Sequence, residues 1–126
     1  GEGFELYGKT DAEIRDRLGA TGRIADVVAR KPDGSWLVTE SKGSDVDSAV
    51  RQVQNTVRFL LQAEPKSAGR IQARITVTAE ALETLRTSGQ GGYCVGERGQ
   101  LMVGTPGNAK ALQIPSVSGP VIVQTF

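Results

Sequence analysis

Apolar and polar positions change period several times along the chain, and each change marks an element. Ile14 and Leu18 recur at helical spacing, Thr10 or Asp11 can cap the run, and Gly19-Ala20-Thr21-Gly22 ends it, which predicts a short helix to about Leu18. Two short apolar runs follow, Arg23-Ile24-Ala25-Asp26-Val27-Val28-Ala29-Arg30 and Trp36-Leu37-Val38-Thr39-Glu40-Ser41-Lys42. The turn signal Lys31-Pro32-Asp33-Gly34-Ser35 between them predicts a β-hairpin. Gly43-Ser44 breaks the second run and Asp45 can cap a helix in which Val46, Val50, Val53, Val57, Leu60 and Leu61 repeat until Pro65. The opposite side of this longest helix carries Arg51, Gln52, Asn55, Arg58 and Gln62, read as a mostly solvated face with one or two residues in reach of a substrate.

Beyond Pro65 the segment from Arg70 to Thr78 alternates as a strand does, and parallel pairing to the preceding strand through the long helix is the natural crossover. Glu80 to Thr87 reads as a short helix with Leu82 and Leu85 inward, followed by a strand at Tyr93-Cys94-Val95. Glu97-Arg98-Gly99-Gln100 reads as a hairpin turn into Leu101-Met102-Val103. From Gly104 through Pro115 and Pro120 the chain is rich in Gly, Pro and Ser and is expected to wrap the surface before an edge strand at Val121-Ile122-Val123. The expected fold is α/β, a mixed central β-sheet flanked by helices, in a single domain spanning 1–126 without internal repeats.

Chemistry enters through the hairpin. If Arg30 pairs with Trp36, Asp26 falls directly opposite Glu40, with Cβ atoms roughly 5 Å apart. Alternation puts Lys42 on the side of Glu40 and turns Thr39 and Ser41 the other way. Two opposed carboxylates repel unless a cation neutralises them, and an oxygen-only donor set suits Mg²⁺ or Mn²⁺ better than Zn²⁺. Each residue alone has an ordinary explanation, as an edge acid or a surface Glu-x-Lys pattern. Their conjunction at one height of an apolar hairpin, where an unpaired charge is costly, favours a metal site at Asp26 and Glu40 with Lys42 beside it.

An acid on one strand, a turn, Glu-x-Lys on the next strand and then an amphipathic helix resemble the PD-(D/E)XK, or restriction-endonuclease-like, nuclease superfamily. The resemblance covers roughly Glu13 to Gln62, and its motif is short and degenerate. It implies a restriction-endonuclease-like core, with Asp26 as the first acid, Glu40 as the second and Lys42 as the lysine. Ala25 stands where the family nominally has proline. A helix glutamate common in the family would be Glu13, with Asp16 as runner-up, and a polar residue on the following helix would be Gln52 or Gln54. The implied activity is metal-dependent hydrolysis of phosphodiester bonds, on DNA ahead of RNA. Lys42 would orient or deprotonate the attacking water, or stabilise charge on the phosphate.

Composition removes several rivals. With no histidine in 126 residues, Ser-His-Asp, Cys-His and histidine-dependent ribonuclease chemistry are excluded, as is histidine-ligated zinc. Cys94 is the sole cysteine and reads as a packed strand residue, so neither a disulfide nor a thiolate cluster is available within the chain. Gly89-Gln90-Gly91-Gly92 lacks the lysine of a phosphate-binding loop and reads as a flexible connection. A formal net charge of +1 gives no bulk basic field, so contact with nucleic acid would depend on local groups such as Arg23, Arg51 and Arg58.

No apolar stretch is long enough to cross a membrane and the start lacks the features of a signal peptide, so a soluble protein is expected. A first residue of Gly rather than Met suggests a piece of a longer protein or a cloning remnant. A short, histidine-free nuclease-like domain of this kind resembles the toxin domains of bacterial competition systems, which act in the cytoplasm of the target cell and are paired with an immunity protein. A repair, phage or restriction nuclease fits nearly as well. The alternative outside enzymology is an α/β protein-interaction module in which Asp26, Glu40 and Lys42 form a surface salt-bridge cluster.

Overall fold

The computed structural model describes residues 3–126 and contains three α-helices, a mixed sheet of five strands and a second, antiparallel sheet of three. Strand β1 (Glu5–Leu6) precedes helix α1 (Asp11–Leu18). The hairpin of β2 (Val27–Arg30) and β3 (Trp36–Gly43) leads into helix α2 (Val46–Ala63) and then β4 (Ile71–Val77). Helix α3 (Ala79–Thr87) is followed by β5 (Tyr93–Val95), β6 (Leu101–Thr105), β7 (Asn108–Ala111) and β8 (Ile122–Thr125). The larger sheet runs β1-β2-β3-β4-β8, antiparallel from β1 to β3 and parallel from β3 to β8, so the chain returns through α2 to a parallel neighbour as its sequence predicts.

Local chemistry explains where the helices begin. The Thr10 hydroxyl accepts from the Glu13 amide at 3.2 Å, and the Glu13 carboxylate accepts from the Lys9 amide at 3.0 Å, a reciprocal cap that satisfies two otherwise orphaned donors. Gly19, at φ 65°, closes the helix in the left-handed conformation that glycine adopts without a Cβ penalty. Asp45 caps α2 through the Ser48 amide. Along α2, Val46, Ala49, Val50, Val53, Val57 and Leu60 form one buried stripe, in the same core as Trp36, Val38, Ile71 and Ile75. Burying each valine or leucine of that stripe contributes about 1.5–3 kcal/mol.

Strand β3 alternates. Trp36, Val38 and Glu40 are buried, Leu37 and Thr39 are half-buried and Ser41 is exposed. Glu40 therefore continues the core-facing row of the strand.

Four expectations need correction. The first hairpin strand is shorter than its apolar run: pairing begins at Val27, and residues 23–26 lie outside the ladder. The surface wrap after Gly104 contains β7, which pairs with β6 across Pro106-Gly107. The glycine run is a tight turn, closed by Gln90 and Tyr93 exchanging both backbone hydrogen bonds around Gly91 and Gly92, each with positive φ. The final edge strand is displaced to Ile122–Thr125. Cys94 is buried, as expected of a packing residue.

Candidate active site

The ladder pairs Arg30 with Trp36 and stops at Val27 and Thr39. The next residues, Asp26 and Glu40, exchange backbone pairing for side-chain pairing. The Asp26 amide donates to Glu40 Oε1 at 3.0 Å, and the Ser41 amide donates to Asp26 Oδ2 at 3.1 Å. Each carboxylate thus satisfies a backbone donor on the opposite strand just past the end of the ladder.

Lys42 joins them. Its Nζ lies 3.5 Å from Glu40 Oε2. The pairing of β3 with β4 shifts between Ser41 and Gly43, so Lys42 is the extra residue of a bulge. Gly43 follows at φ 67°, and such bulges bend a strand and re-aim a side chain. The three expected residues are therefore brought together, in the expected register.

Their environments differ sharply. Glu40 is 1% exposed, whereas Asp26 is exposed and Lys42 is partly so. Burial raises the Glu40 carboxyl above the ordinary range, and the neighbouring Asp26 charge raises it further. The Asp26 amide and Lys42 pull the other way without cancelling the rise. A buried carboxylate facing a second carboxylate and a single partly exposed cation leaves negative charge that a further cation would neutralise. The donor set is compatible with Mg²⁺ or Mn²⁺, since such ions are commonly held by one or two carboxylates with water and phosphate oxygens completing the shell. Asp26 Oδ1 and Glu40 Oε2 are the oxygens not occupied by backbone amides.

The accessory candidates behave otherwise. Glu13 is committed to the cap of α1, and among the described residues no three His, Cys, Asp or Glu side chains cluster as a metal-ligand set, so Glu13 does not complete one with Asp26 and Glu40. Gln54 is exposed. Gln52 is buried, and its Nε2 donates at 3.0 Å to the carbonyl of Ile24.

That last bond belongs to a clamp that sequence reading misses. Asn55 Nδ2 donates to the carbonyls of Thr21 and Arg23, each at 2.9 Å, and the Ala25 amide donates to Thr56 Oγ1 at 2.7 Å. Three neighbouring polar residues of α2 thus replace the missing ladder for the segment that delivers Asp26. The spacing of Gln52, Asn55 and Thr56, on one side of a helix, was the available signal, but nothing local to them shows that their partners lie about thirty residues upstream.

Beside the clamp lies a cleft of about 600 Å³ between the segment at Thr21–Arg23 and the polar side of α2. Arg23, Arg51 and Arg58 all line it, with Gln52 and Asn55, whereas Asp26, Glu40 and Lys42 do not. No helix among the described residues is long and apolar enough to cross a membrane. A scan of protein-family models finds no match for the chain, and neither curated proteins nor solved structures yield a significant one.

Proposed function

We propose that the domain is a metal-dependent phosphodiesterase, a nuclease with a restriction-endonuclease-like core that acts on DNA ahead of RNA, with Asp26, Glu40 and Lys42 at its centre. The observation that carries this reading is the buried Glu40 carboxylate, set against a second carboxylate and a lysine at the end of a hairpin ladder. Such an arrangement costs folding free energy, and functional sites are where costs of this kind concentrate.

In this reading Asp26 and Glu40 hold Mg²⁺ or Mn²⁺, which supplies Lewis-acid neutralisation of the phosphate and a lowered pKa for bound water. The protein's own contribution is geometric and electrostatic. Glu40 is fixed by the Asp26 amide, and Asp26 by the Ser41 amide, so neither carboxylate has to be ordered when substrate arrives. Lys42, carried on the bulge, presents its ammonium to the same point and can orient a water or balance charge developing on the phosphate.

One observation favours the non-catalytic reading, an interaction module whose three residues form an ion-pair cluster: no third acid joins Asp26 and Glu40 among the described residues. A cleavage assay separates the two. Supercoiled plasmid, a linear duplex and an RNA of matched length are each incubated with Mg²⁺ or Mn²⁺; the two DNAs should be cut by the unsubstituted protein in preference to the RNA and spared by Glu40→Gln. Equal treatment of all three substrates by both proteins would reject the enzymatic reading. Delivery as a bacterial toxin with a neutralising immunity protein is the biological setting proposed for this activity, and growth arrest on expression that the Glu40→Gln variant does not cause is its expected sign.

A further inference from the structure

The cleft between the Thr21–Arg23 segment and α2 carries three guanidinium groups and two carboxylates, Asp45 and Asp47. The carboxylates are already engaged. Asp45 accepts from the Ser48 amide at 3.1 Å, and Asp47 is ion-paired with Arg51, Nε lying 3.0 Å from Oδ2, and accepts from the Tyr93 hydroxyl at 3.1 Å. Arg23 and Arg58 have no carboxylate partner among the described residues, so two guanidinium groups of the cleft stand outside its ion pair, and with Asp45 still charged the cleft carries a net charge of +1.

One side chain touches both residues. Asn55 donates to the Arg23 carbonyl and accepts from an Arg58 terminal nitrogen through its own Oδ1, both at 2.9 Å. Arg58 also lies over the Phe59 ring, 4.9 Å from its centroid. Asn55 therefore anchors the backbone that carries Arg23 and the guanidinium of Arg58 together, which reduces the ordering cost of binding an anion at both. Planar guanidinium groups match phosphate oxygens in forked geometry.

We propose that this cleft binds the phosphodiester backbone of nucleic acid, with Arg23 and Arg58 as direct phosphate contacts and Asn55 as the residue that positions them. The identity of the ligand rests on the phosphodiesterase reading; the placement of the cleft does not. Gln52 links the two regions, since it lines the cleft and bonds the Ile24 carbonyl just ahead of Asp26. A strand lying in the cleft would therefore follow the segment that leads to the acid pair. Because the whole chain carries a formal net charge of only +1, removing two local charges should be felt strongly.

The test measures binding of fluorescein-labelled duplex DNA to the unsubstituted protein in EDTA, where metal-dependent cleavage is off, across a range of salt concentrations. Replacing both Arg23 and Arg58 with alanine should weaken binding about tenfold and flatten the slope of log K against log salt by about two, whereas Lys110→Ala, on the separate three-stranded sheet, should change neither. Asn55→Ala should weaken binding with little change in slope, since both charges remain. Unchanged affinity in the double variant would overturn the proposal. Displacement of the DNA by polyglutamate of equal charge at equal concentration would also overturn it, pointing to an acidic protein as the occupant. Arginine-dependent binding without cleavage in Mg²⁺ would reject the enzymatic reading and keep the cleft; Glu40-dependent cleavage with unmoved affinity in the double variant would do the reverse.

Discussion

Asp26 and Glu40 stand opposite each other one step past the last ladder pair of the β2–β3 hairpin, joined by a 3.0 Å bond from the Asp26 amide to Glu40 Oε1. The bond makes Glu40 an internal support of the strand end as well as a carboxylate beside a carboxylate, and the two roles can be separated by substitution. Glutamine keeps the acceptor and discards the charge.

Glu40→Gln should therefore abolish metal-dependent cleavage while leaving the domain folded and, near neutral pH without divalent ions, at least as stable as before. The sign follows from the raised carboxyl. A group whose folded pKa lies above its unfolded value stabilises the fold most when protonated, so this contribution is present below 4.5 and is lost as pH rises through the higher folded value. Asp33 acts in the opposite sense, its carboxyl lowered by hydrogen bonds from Ser35, but its contribution fades only below 3.8. Urea denaturation in EDTA between those limits and neutrality should show stability rising on acidification in the unsubstituted protein and a flatter profile in Glu40→Gln. Parallel profiles would remove the charged, buried Glu40 from the account.

Lys42→Ala should lower the cleavage rate by about 10²–10³-fold, the scale typical of removing one group that stabilises transition-state charge. The fold should survive, because Lys42 is partly exposed and its bond to Glu40 is a single contact at 3.5 Å. A single-turnover assay at saturating DNA distinguishes this from weakened binding.

Thr56→Val tests the clamp. The hydroxyl is fully buried and accepts the Ala25 amide at 2.7 Å, so its loss strands a backbone donor at a cost of about 1–3 kcal/mol. Chemical denaturation should register the loss, and Thr56→Ser should restore most of it. Cleavage should fall in Thr56→Val and recover with serine, since the segment carrying Asp26 is what the bond holds.

Gly43→Ala tests the bulge. The site has room for a Cβ, so any penalty arises from its φ of 67°, about 1–2 kcal/mol for a residue other than glycine. Differential scanning calorimetry should show a lower Tm, and cleavage should fall further than the stability loss explains if the bulge aims Lys42.

The parts of this protein that were legible in the sequence are those whose cause is local. The Lys31–Ser35 turn and the alternation beside it specify the register that places Asp26 at Glu40, and Thr10, Gly19 and Asp45 mark helix ends through bonds to near neighbours. The unread parts depend on distant partners. Asn55 and Gln52 look like surface polar residues until the Thr21–Ala25 segment lies against them, and this is also why residues 23–26, apolar enough for a strand, leave the ladder. Strand β7, Asn108-Ala109-Lys110-Ala111, lacks β-branched and aromatic residues, so only the Pro106-Gly107 turn announced it. Arg23, Arg51 and Arg58 were expected to meet nucleic acid as local charge, but that they line one cleft was not legible, since Arg23 reaches it only through the Thr21–Ala25 segment.

The most direct test is a crystal of the protein grown with a short DNA duplex and Mn²⁺, examined by anomalous diffraction. An anomalous peak should lie at bonding distance from an Asp26 oxygen and a Glu40 oxygen, with a phosphate oxygen in the same shell and Lys42 beside it. A map in which manganese avoids both carboxylates while DNA is bound elsewhere would contradict the proposed metal site.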